Sequence, residues 1–575
     1  MILARLIAFV LALAVTSSLV RGQTPPLGGL EQRRPGDVRP PLPELERPKP
    51  EPRFDLPPLP PPPEKAPLSL GPRFVLRDVT FEGNTVLTDE QLNEVAAPFI
   101  GQPVAAEQLE DLRQRLTRLY IDAGYINSGA VLPDQAVVEG RVKYLIVEGE
   151  LSEITVVGNE RMRSSYLEDR IALDAGPPLN VNDLQERLRI LLDDPLVERV
   201  DAELGPGLRP GESELRVRVE ETSPFQVNLE IANDRPPSVG AVQGRAQLVG
   251  RNWTGLGEIT SLSISKTEGL RDIQGQIGVP VTPWDTRLIF LVGDTDSEVV
   301  EEPFNVIDVE SRSRDYEFTL RQPVYRAPGQ ELAAGLTFAR RESETFLLGE
   351  PFSFAEGVED GRSVVSVFRG VVDWLDRSQD QVIALRSTFS GGIDVLGATI
   401  NPSPVPDGRF FSWLGQVQLV RRFDVAEVRN IRIVTRGEAQ LTDDRLLPLE
   451  KFAIGGADTV RGYRENFLVR DNGWDASVEL RVPVFELPIP FVPSELEDGR
   501  VDIAPFFDIG QSWNSEVEDP DPKTISAVGI GLRWAPIRNV LASLYVGFRL
   551  KDVEDPTDWD LQDDGIHFSI RTSLF

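Results

Sequence analysis

From Phe225 to Phe575 the chain divides into segments of about ten residues in which apolar and polar side chains alternate, with Gly, Asp, Asn and Pro between segments. A period of two places successive side chains on opposite faces of a strand, so each segment has one apolar and one polar face. Val540, Ala542, Leu544, Val546, Phe548 and Leu550 share one parity, against Ser543, Tyr545, Gly547, Arg549 and Lys551 on the other. Trp474, Ala476, Val478, Leu480 and Val482 likewise oppose Asp475, Ser477, Glu479 and Arg481, a face carrying both signs of charge, as suits a wet lumen. Sixteen segments can be counted, beginning near residues 225, 241, 258, 271, 285, 313, 331, 363, 381, 410, 430, 475, 501, 525, 541 and 565. An even count is what a single-chain bacterial barrel requires. The pattern predicts a transmembrane barrel of sixteen antiparallel strands over 223–575, with a soluble all-β domain burying one face as the competing architecture.

What precedes the segments separates these two. Arg5, the apolar run Leu6 to Val15 and the small and polar residues up to Gly22 read as a secretory signal peptide over 1–22. Ten apolar residues fall short of the roughly 17 to 25 that a spanning helix needs. No other long apolar run exists, so a membrane can be crossed only with strands. Residues 23–72 contain 17 Pro, including Pro60 to Pro63, and cannot build a core; a semi-extended polyproline linker is expected.

Composition removes whole classes of function. With 60 Lys plus Arg against 91 Asp plus Glu, the net charge of −31 repels phosphate backbones, so no nucleic-acid partner is expected. The absence of Cys excludes thiolate catalysis, disulfides, thiolate metal sites and a lipidated amino-terminal Cys. One His, His567, cannot build a multi-His metal centre. No enzymatic activity, cofactor or metal is expected.

Between linker and barrel lies an internal repeat. Val79-Thr80-Phe81-Glu82-Gly83-Asn84 parallels Ile154-Thr155-Val156-Val157-Gly158-Asn159, and Gly101-Gln102-Pro103-Val104 parallels Gly176-Pro177-Pro178-Leu179, both offset by 75. Each copy reads strand, helix, helix, strand, strand. Leu109, Leu112, Leu116 and Tyr120 form a helical core stripe in the first, as do Leu184, Leu188 and Leu191 in the second; Val142, Tyr144 and Ile146, and then Leu215, Val217 and Val219, mark the final strands. Two α+β domains are expected, at 73–149 and 150–222. Their element order and Gly-Asn turn resemble the POTRA domain, a periplasmic module of outer-membrane transporters.

About thirty residues without alternation separate the eleventh and twelfth segments, long enough to call for a functional reason. They contain Gly455-Gly456-Ala457-Asp458-Thr459-Val460-Arg461-Gly462-Tyr463-Arg464, then Arg470-Asp471-Asn472-Gly473. This closely resembles the signature loop of the POTRA-plus-barrel superfamily, centred on Val-Arg-Gly-Tyr. Phe506-Phe507-Asp508-Ile509-Gly510 is similar to the family's barrel-wall motif. The resemblance implies that the loop folds back into the lumen and that Arg461 pairs with Asp508. Parity agrees: Val501, Ile503, Phe507 and Ile509 hold the apolar phase, so Asp508 points inward, within reach of a bidentate guanidinium. Gly462 would let the loop turn sharply and Tyr463 would pack against the wall. The terminal Phe575 resembles an assembly signal, although Leu574, not Phe575, holds the apolar phase. Asn252-Trp253-Thr254-Gly255-Leu256-Gly257-Glu258 is also similar to a family segment, which often carries Asp in place of Glu258; an ordinary hairpin turn accounts for it equally well.

The resemblance covers residues 73 to 575. Two POTRA domains, fewer than barrel-assembly factors carry, favour the two-partner secretion transporters (TpsB; ShlB/FhaC/HecB-like haemolysin activation/secretion proteins). Such proteins place a plug helix before the linker, but only Leu27 to Arg34 is available here, too little for a plug of normal length. The implied function is export of an unfolded partner exoprotein, haemolysin- or adhesin-like, through the barrel after recognition by periplasmic POTRA domains. The resemblance also implies an outer-membrane location, with outer-membrane lipid and the barrel-assembly machinery as the other partners. Free sheet edges would accept an extended client, with Ile126 to Leu132 and Val197 to Glu203 as candidates. Alternatives are an insertase that assembles other barrels, and a passive porin or surface antigen.

Overall fold

The computed structural model describes residues 52–56, 73–489, 498–537, 539–553 and 558–574. The expected signal peptide, most of the Pro-rich segment and Phe575 lie outside them.

The Pro-rich segment contributes one strand, β1 (Arg53–Asp55), which pairs in parallel with a strand of the second repeat. A linker without regular pairing was the expectation from composition. The difference has a local cause: Arg53 to Leu56 is free of Pro, so its amide groups are available for a sheet.

The first repeat comprises β2 (Phe74–Val75), β3 (Asp78–Glu82), α1 (Asp89–Ala96), β4 (Pro103–Val104), α2 (Ala106–Asp122), β5 (Gly129–Val131) and β6 (Arg141–Val147). Its main sheet runs β3-β6-β5, with β2 paired to β4. Thr88 starts α1 with a capping box, donating its amide to Gln91 Oε1 at 2.9 Å while Gln91 N donates to the Thr88 hydroxyl at 3.4 Å. Leu112, Leu116, Tyr120 and Tyr144 are fully buried between helices and sheet. The second repeat comprises β7 (Glu150–Val157), α3 (Ser164–Ile171), α4 (Val181–Leu192), β8 (Val197–Pro206) and β9 (Glu212–Glu221), with sheet order β1-β8-β9-β7.

The Gly-Asn turn does the same work in both copies. Gly83 and Gly158 sit at φ +96° and +88°, where a Cβ would lie 2.5 Å from Ile146 O and 2.6 Å from Val219 O, so the turn closes over the last strand only with glycine. A carboxylate at the end of that strand gathers the amides that follow: Glu148 accepts from Thr85 N (2.7 Å) and Val86 N (3.1 Å), and Glu221 from the amides of Glu160, Arg161 and Met162 (2.8 Å each).

The remainder closes into a barrel. Its strands are β10 (Phe225–Ala232), β11 (Gln243–Arg251), β12 (Ile259–Lys266), β13 (Leu270–Pro280), β14 (Arg287–Glu298), β15 (Val309–Ala327), β16 (Gln330–Leu347), the short β17 (Glu350–Pro351), β18 (Arg362–Arg377), β19 (Gln381–Gly392), β20 (Phe411–Val425) and β21 (Val428–Leu441). A hairpin of β22 (Phe452–Ile454) and β23 (Leu468–Arg470) interrupts the series, which resumes with β24 (Asn472–Glu486), β25 (Arg500–Trp513), β26 (Thr524–Ile537), β27 (Val540–Arg549) and β28 (Ile566–Leu574). Apart from β17 and the hairpin, sixteen antiparallel strands form the wall, closed where β10 pairs with β28, Val227 opposite Leu574. Closure leaves the wall without an unpaired edge. Outward side chains such as Leu262, Phe290, Phe368 and Phe548 are exposed, while polar side chains of the inward parity such as Ser265, Asp315, Gln416 and Glu479 are buried. No helix among the described residues is long and apolar enough to cross a membrane; the strands do so.

Candidate functional site

Residues 442–471, between β21 and β24, leave the barrel at the end opposite the POTRA repeats and fold back into the lumen, where Phe452, Ile454, Val460, Tyr463 and Leu468 form a buried cluster with Leu414 of β20 and Ile525 and Ala527 of β26. Two carboxylate nodes hold this loop.

The first gathers the residues singled out from sequence. Arg461 donates its backbone N and Nε to Asp508 Oδ2 (3.0 and 2.8 Å) and Nη2 to Oδ1 (2.9 Å), a bidentate contact with a third bond from the main chain. Its Nη1 donates to Glu479 Oε2 at 2.5 Å and Nη2 to Ser477 Oγ at 3.1 Å. The guanidinium stacks 3.6 Å from the Phe506 ring centroid and 4.8 Å from that of Tyr545. Asp508 is fully buried and Arg461 nearly so. Glu479 also accepts from Arg481 Nε (2.6 Å) and Tyr545 OH (3.2 Å). An ion pair this dry gains little net stability against its desolvation, but removing one partner leaves an uncompensated charge, so the arrangement fixes position more than it adds stability.

The neighbouring motif residues shape the contact. Gly462, at φ +98°, brings its backbone against Gly547 of β27; a Cβ would stand 3.2 Å from the Gly547 carbonyl. Arg549 Nε donates to Gly462 O at 2.7 Å. The Tyr463 hydroxyl shares its proton between Ser526 O of β26 (3.1 Å) and Lys551 O just beyond β27 (3.0 Å). Arg464 ties the loop tip to other surface loops through Asp563 (2.6 Å) and Glu301 (2.5 Å). Gly510 leaves room for Ile454 and Val460, each 3.2 Å or less from where its Cβ would be. Gly455 and Gly456, both at positive φ, open the turn that Thr459 closes, its hydroxyl accepting from Gly455 N at 2.8 Å. Phe507 faces outward and is exposed.

Sequence reading missed the second node. Glu450, 1% exposed, accepts from Arg369 of β18 (2.8 and 2.9 Å) and Arg341 of β16 (3.3 Å), and Arg341 also donates to Asp315 of β15 at 3.1 Å. The loop is thereby fastened to the seventh and eighth wall strands at its entry and to the twelfth and thirteenth at its tip, spanning the lumen. Glu479 was legible as a lumen residue from its parity. Nothing local marks Glu450, whose partners lie 81 and 109 residues away.

The Asn252 to Glu258 turn is more than a hairpin connection. It docks on α3: Arg163 N donates to Gly255 O (3.1 Å), Arg163 Nε to Thr254 O (3.2 Å), and Gly257 abuts the Tyr166 ring, which a Cβ would approach to 2.3 Å. The Arg170 guanidinium lies over the Tyr166 ring, 3.6 Å from its centroid, and reaches Asp285 of the β13–β14 turn at 3.7 Å. With Gly329 N of the β15–β16 turn donating to Asp193 Oδ2 at 3.3 Å, three turns of the barrel seat the second repeat.

A sixteen-stranded barrel seated on two POTRA domains, with a buried Arg-Asp pair holding a loop in its lumen, defines an outer-membrane transporter of the POTRA-plus-barrel superfamily. Residues 211–534 match the family described as haemolysin secretion/activation protein ShlB/FhaC/HecB, and residues 74–149 match the POTRA domain, ShlB-type. The chain belongs to the ShlB/FhaC/HecB family, and its location is the outer membrane with the POTRA domains in the periplasm. It is 23% identical to an outer membrane transporter CdiB of Dickeya dadantii over 81% of each chain, and 20% identical to a heme/hemopexin transporter protein HuxB of Haemophilus influenzae over 47% of this chain and 48% of that one. Among solved structures, CdiB from Escherichia coli superposes with a TM-score of 0.64 at 21% identity, covering 90% of this chain and 94% of the other. BamA from Haemophilus ducreyi lacking POTRA domains 1-3 follows the same fold at a TM-score of 0.51 and 14% identity, covering 87% of this chain and all of that one.

Proposed function

We propose that the chain exports one unfolded partner exoprotein, of haemolysin or adhesin type, which its POTRA domains recognise and its barrel conducts without a chemical step of its own. The observation that carries this reading is the loop fastened across the lumen at Arg461 and Glu450: a conduit for an unfolded chain needs an obstruction that can be released. The relatives named as the transporters CdiB and HuxB support export over assembly of other barrels, for which the likeness to BamA supplies fold alone. The outward apolar parity would contact outer-membrane lipid, and the barrel-assembly machinery would insert the chain.

Deleting the gene should remove one protein from the culture supernatant and leave the other outer-membrane barrels at normal abundance. Removing residues 73–149 should keep a folded, heat-modifiable barrel yet stop export. A broad loss of barrels on deletion would establish the insertase reading instead.

A further inference from the structure

Three arginines meet on the lumen face of β21, β24 and β26. Arg432 lies directly opposite Arg481 across β21 and β24, and Arg533 directly opposite Asp502 across β26 and β25. Exposed Val478 and Leu532 hold the opposite parity, which turns this row inward. The three stand near the POTRA ends of their strands, whereas Ser477 and Asp508 of the latch lie further in. Like charges directly opposite each other on a sheet cost stability. In a chain of 91 acidic against 60 basic residues the row also runs against composition.

Both carboxylates that the row engages are already shared. Asp502 accepts from Arg432 Nη2 at 3.5 Å and pairs with Arg500 at 3.2 Å. Glu479 accepts from Arg481 Nε at 2.6 Å and from Arg461 Nη1 at 2.5 Å. Arg533 donates to a neutral acceptor, the Tyr545 hydroxyl, at 3.0 Å. The Arg432 Nε is buried without a hydrogen-bond partner among the described residues, and Arg432 feels the charges of Arg481, Arg500 and Arg533 against that of Asp502. Its side chain is 19% exposed, so the lumen reaches it. A positive field between low-dielectric walls concentrates anions, and a guanidinium takes a carboxylate through two parallel hydrogen bonds.

We infer that Arg432, Arg481 and Arg533 form an anion-binding strip at the periplasmic entrance to the lumen, and that its ligands are the carboxylates of an acidic, extended segment of the exported polypeptide. The source of those carboxylates rests on the export reading; the strip itself does not. A segment arriving from the POTRA domains meets the strip before it meets the latch, and its carboxylates supply the counter-charge that Asp502 and Glu479, each divided between two arginines, leave incomplete. With water alone in the lumen, the same strip favours passage of chloride over potassium.

Purified full-length protein in planar bilayers under a KCl gradient should show a reversal potential that favours chloride. Arg432→Gln with Arg533→Gln should lower the chloride-to-potassium permeability ratio about threefold or more, and Arg432→Lys with Arg533→Lys should keep it, since Lys retains the charge. Asp502 keeps Arg500, so the Gln pair should still migrate as a folded, heat-modifiable barrel; should it not, Arg432→Gln alone takes its place. Potassium preference in wild type, or a ratio that the Gln pair leaves unchanged, would overturn the strip. A labelled hexaglutamate gives a second measure that needs no ionic current. Detergent-solubilised wild type should bind it despite a net charge of −31, and the Gln pair should bind it about tenfold more weakly or worse; equal affinity would overturn the strip. The Gln pair should also lower the gene-dependent supernatant protein, and wild-type export by a variant that has lost hexaglutamate would overturn the polypeptide as the ligand. If no supernatant protein depends on the gene, the export reading fails, while the bilayer and peptide measurements still decide whether the strip binds anions.

Discussion

Arg461 and Asp508, 47 residues apart in sequence, meet in the lumen through three hydrogen bonds, one of them from the main-chain amide of Arg461. The carboxylate thus holds both the side chain and the turn that carries it. Arg461→Ala takes the guanidinium from the buried Asp508 carboxylate, at a cost of about 3 to 5 kcal/mol where the site is dry; Asp508→Ala costs less, because Arg461 keeps Glu479, and each should reduce export while the barrel still migrates as a folded, heat-modifiable species. The double variant should be little worse than either single one. Arg461→Lys should rescue poorly, since Lys lacks the planar fork that meets Asp508 and lies on Phe506. Wild-type export by both alanine variants would remove the latch from the mechanism.

The entry node makes a separate prediction. Glu450→Ala takes away the carboxylate shared by Arg369 and Arg341, though Arg341 keeps Asp315. With the tip still held by Asp508, the loop should loosen on one side of the lumen and single-channel conductance in planar bilayers should rise by about twofold or more, because removing the carboxylate leaves Arg369 without its buried counter-charge on the loop. Unchanged conductance would show that the Arg461 node alone sets the loop's position.

Seating of the second POTRA domain can be probed at Gly257, which lies at φ +83° against the Tyr166 ring. Gly257→Ala adds a left-handed strain of about 1 kcal/mol and a clash with the ring. The barrel should fold, but limited proteolysis should cut faster between Glu221 and Phe225 and export should fall. Protease resistance equal to wild type would mean that the turn does not seat the domain.

Glu148 gives a pH dependence in the first POTRA domain. Burial pushes its carboxyl up, but the Thr85 hydroxyl, the Thr85 and Val86 amides and Tyr120 donate to it and hold it below the usual carboxylate range. A group depressed in the folded state contributes stability above its unfolded pKa and loses it as pH falls through the folded value. Hydrogen exchange at residues 84–88 in the full-length protein should therefore quicken on acidification relative to the rest of the domain. Glu148→Gln should exchange faster at neutral pH and show a flatter acid response; a response as steep as wild type would assign the effect to another group.

Local pattern was enough for much of this. Alternation reports the face of each residue, so the inward phase of Asp508 and Glu479 and the outward phase of Phe507 could be read from their neighbours alone, and the offset of 75 exposed two POTRA copies because each repeats the same core positions. The loop motif was legible because its residues are contiguous. Parity does not say which inward residues meet across a lumen, because that depends on closing the barrel and on where a thirty-residue loop re-enters it. Tertiary structure alone therefore joined Glu450 to Arg341 and Arg369, laid Tyr545 beside Arg461 and turned Asn252 to Glu258 into a seat for Tyr166. The strand at Arg53 to Asp55 was hidden for a related reason: prolines dominate the composition around it, while its pairing depends on three intervening amides and an open sheet edge that is more than 140 residues away in the chain.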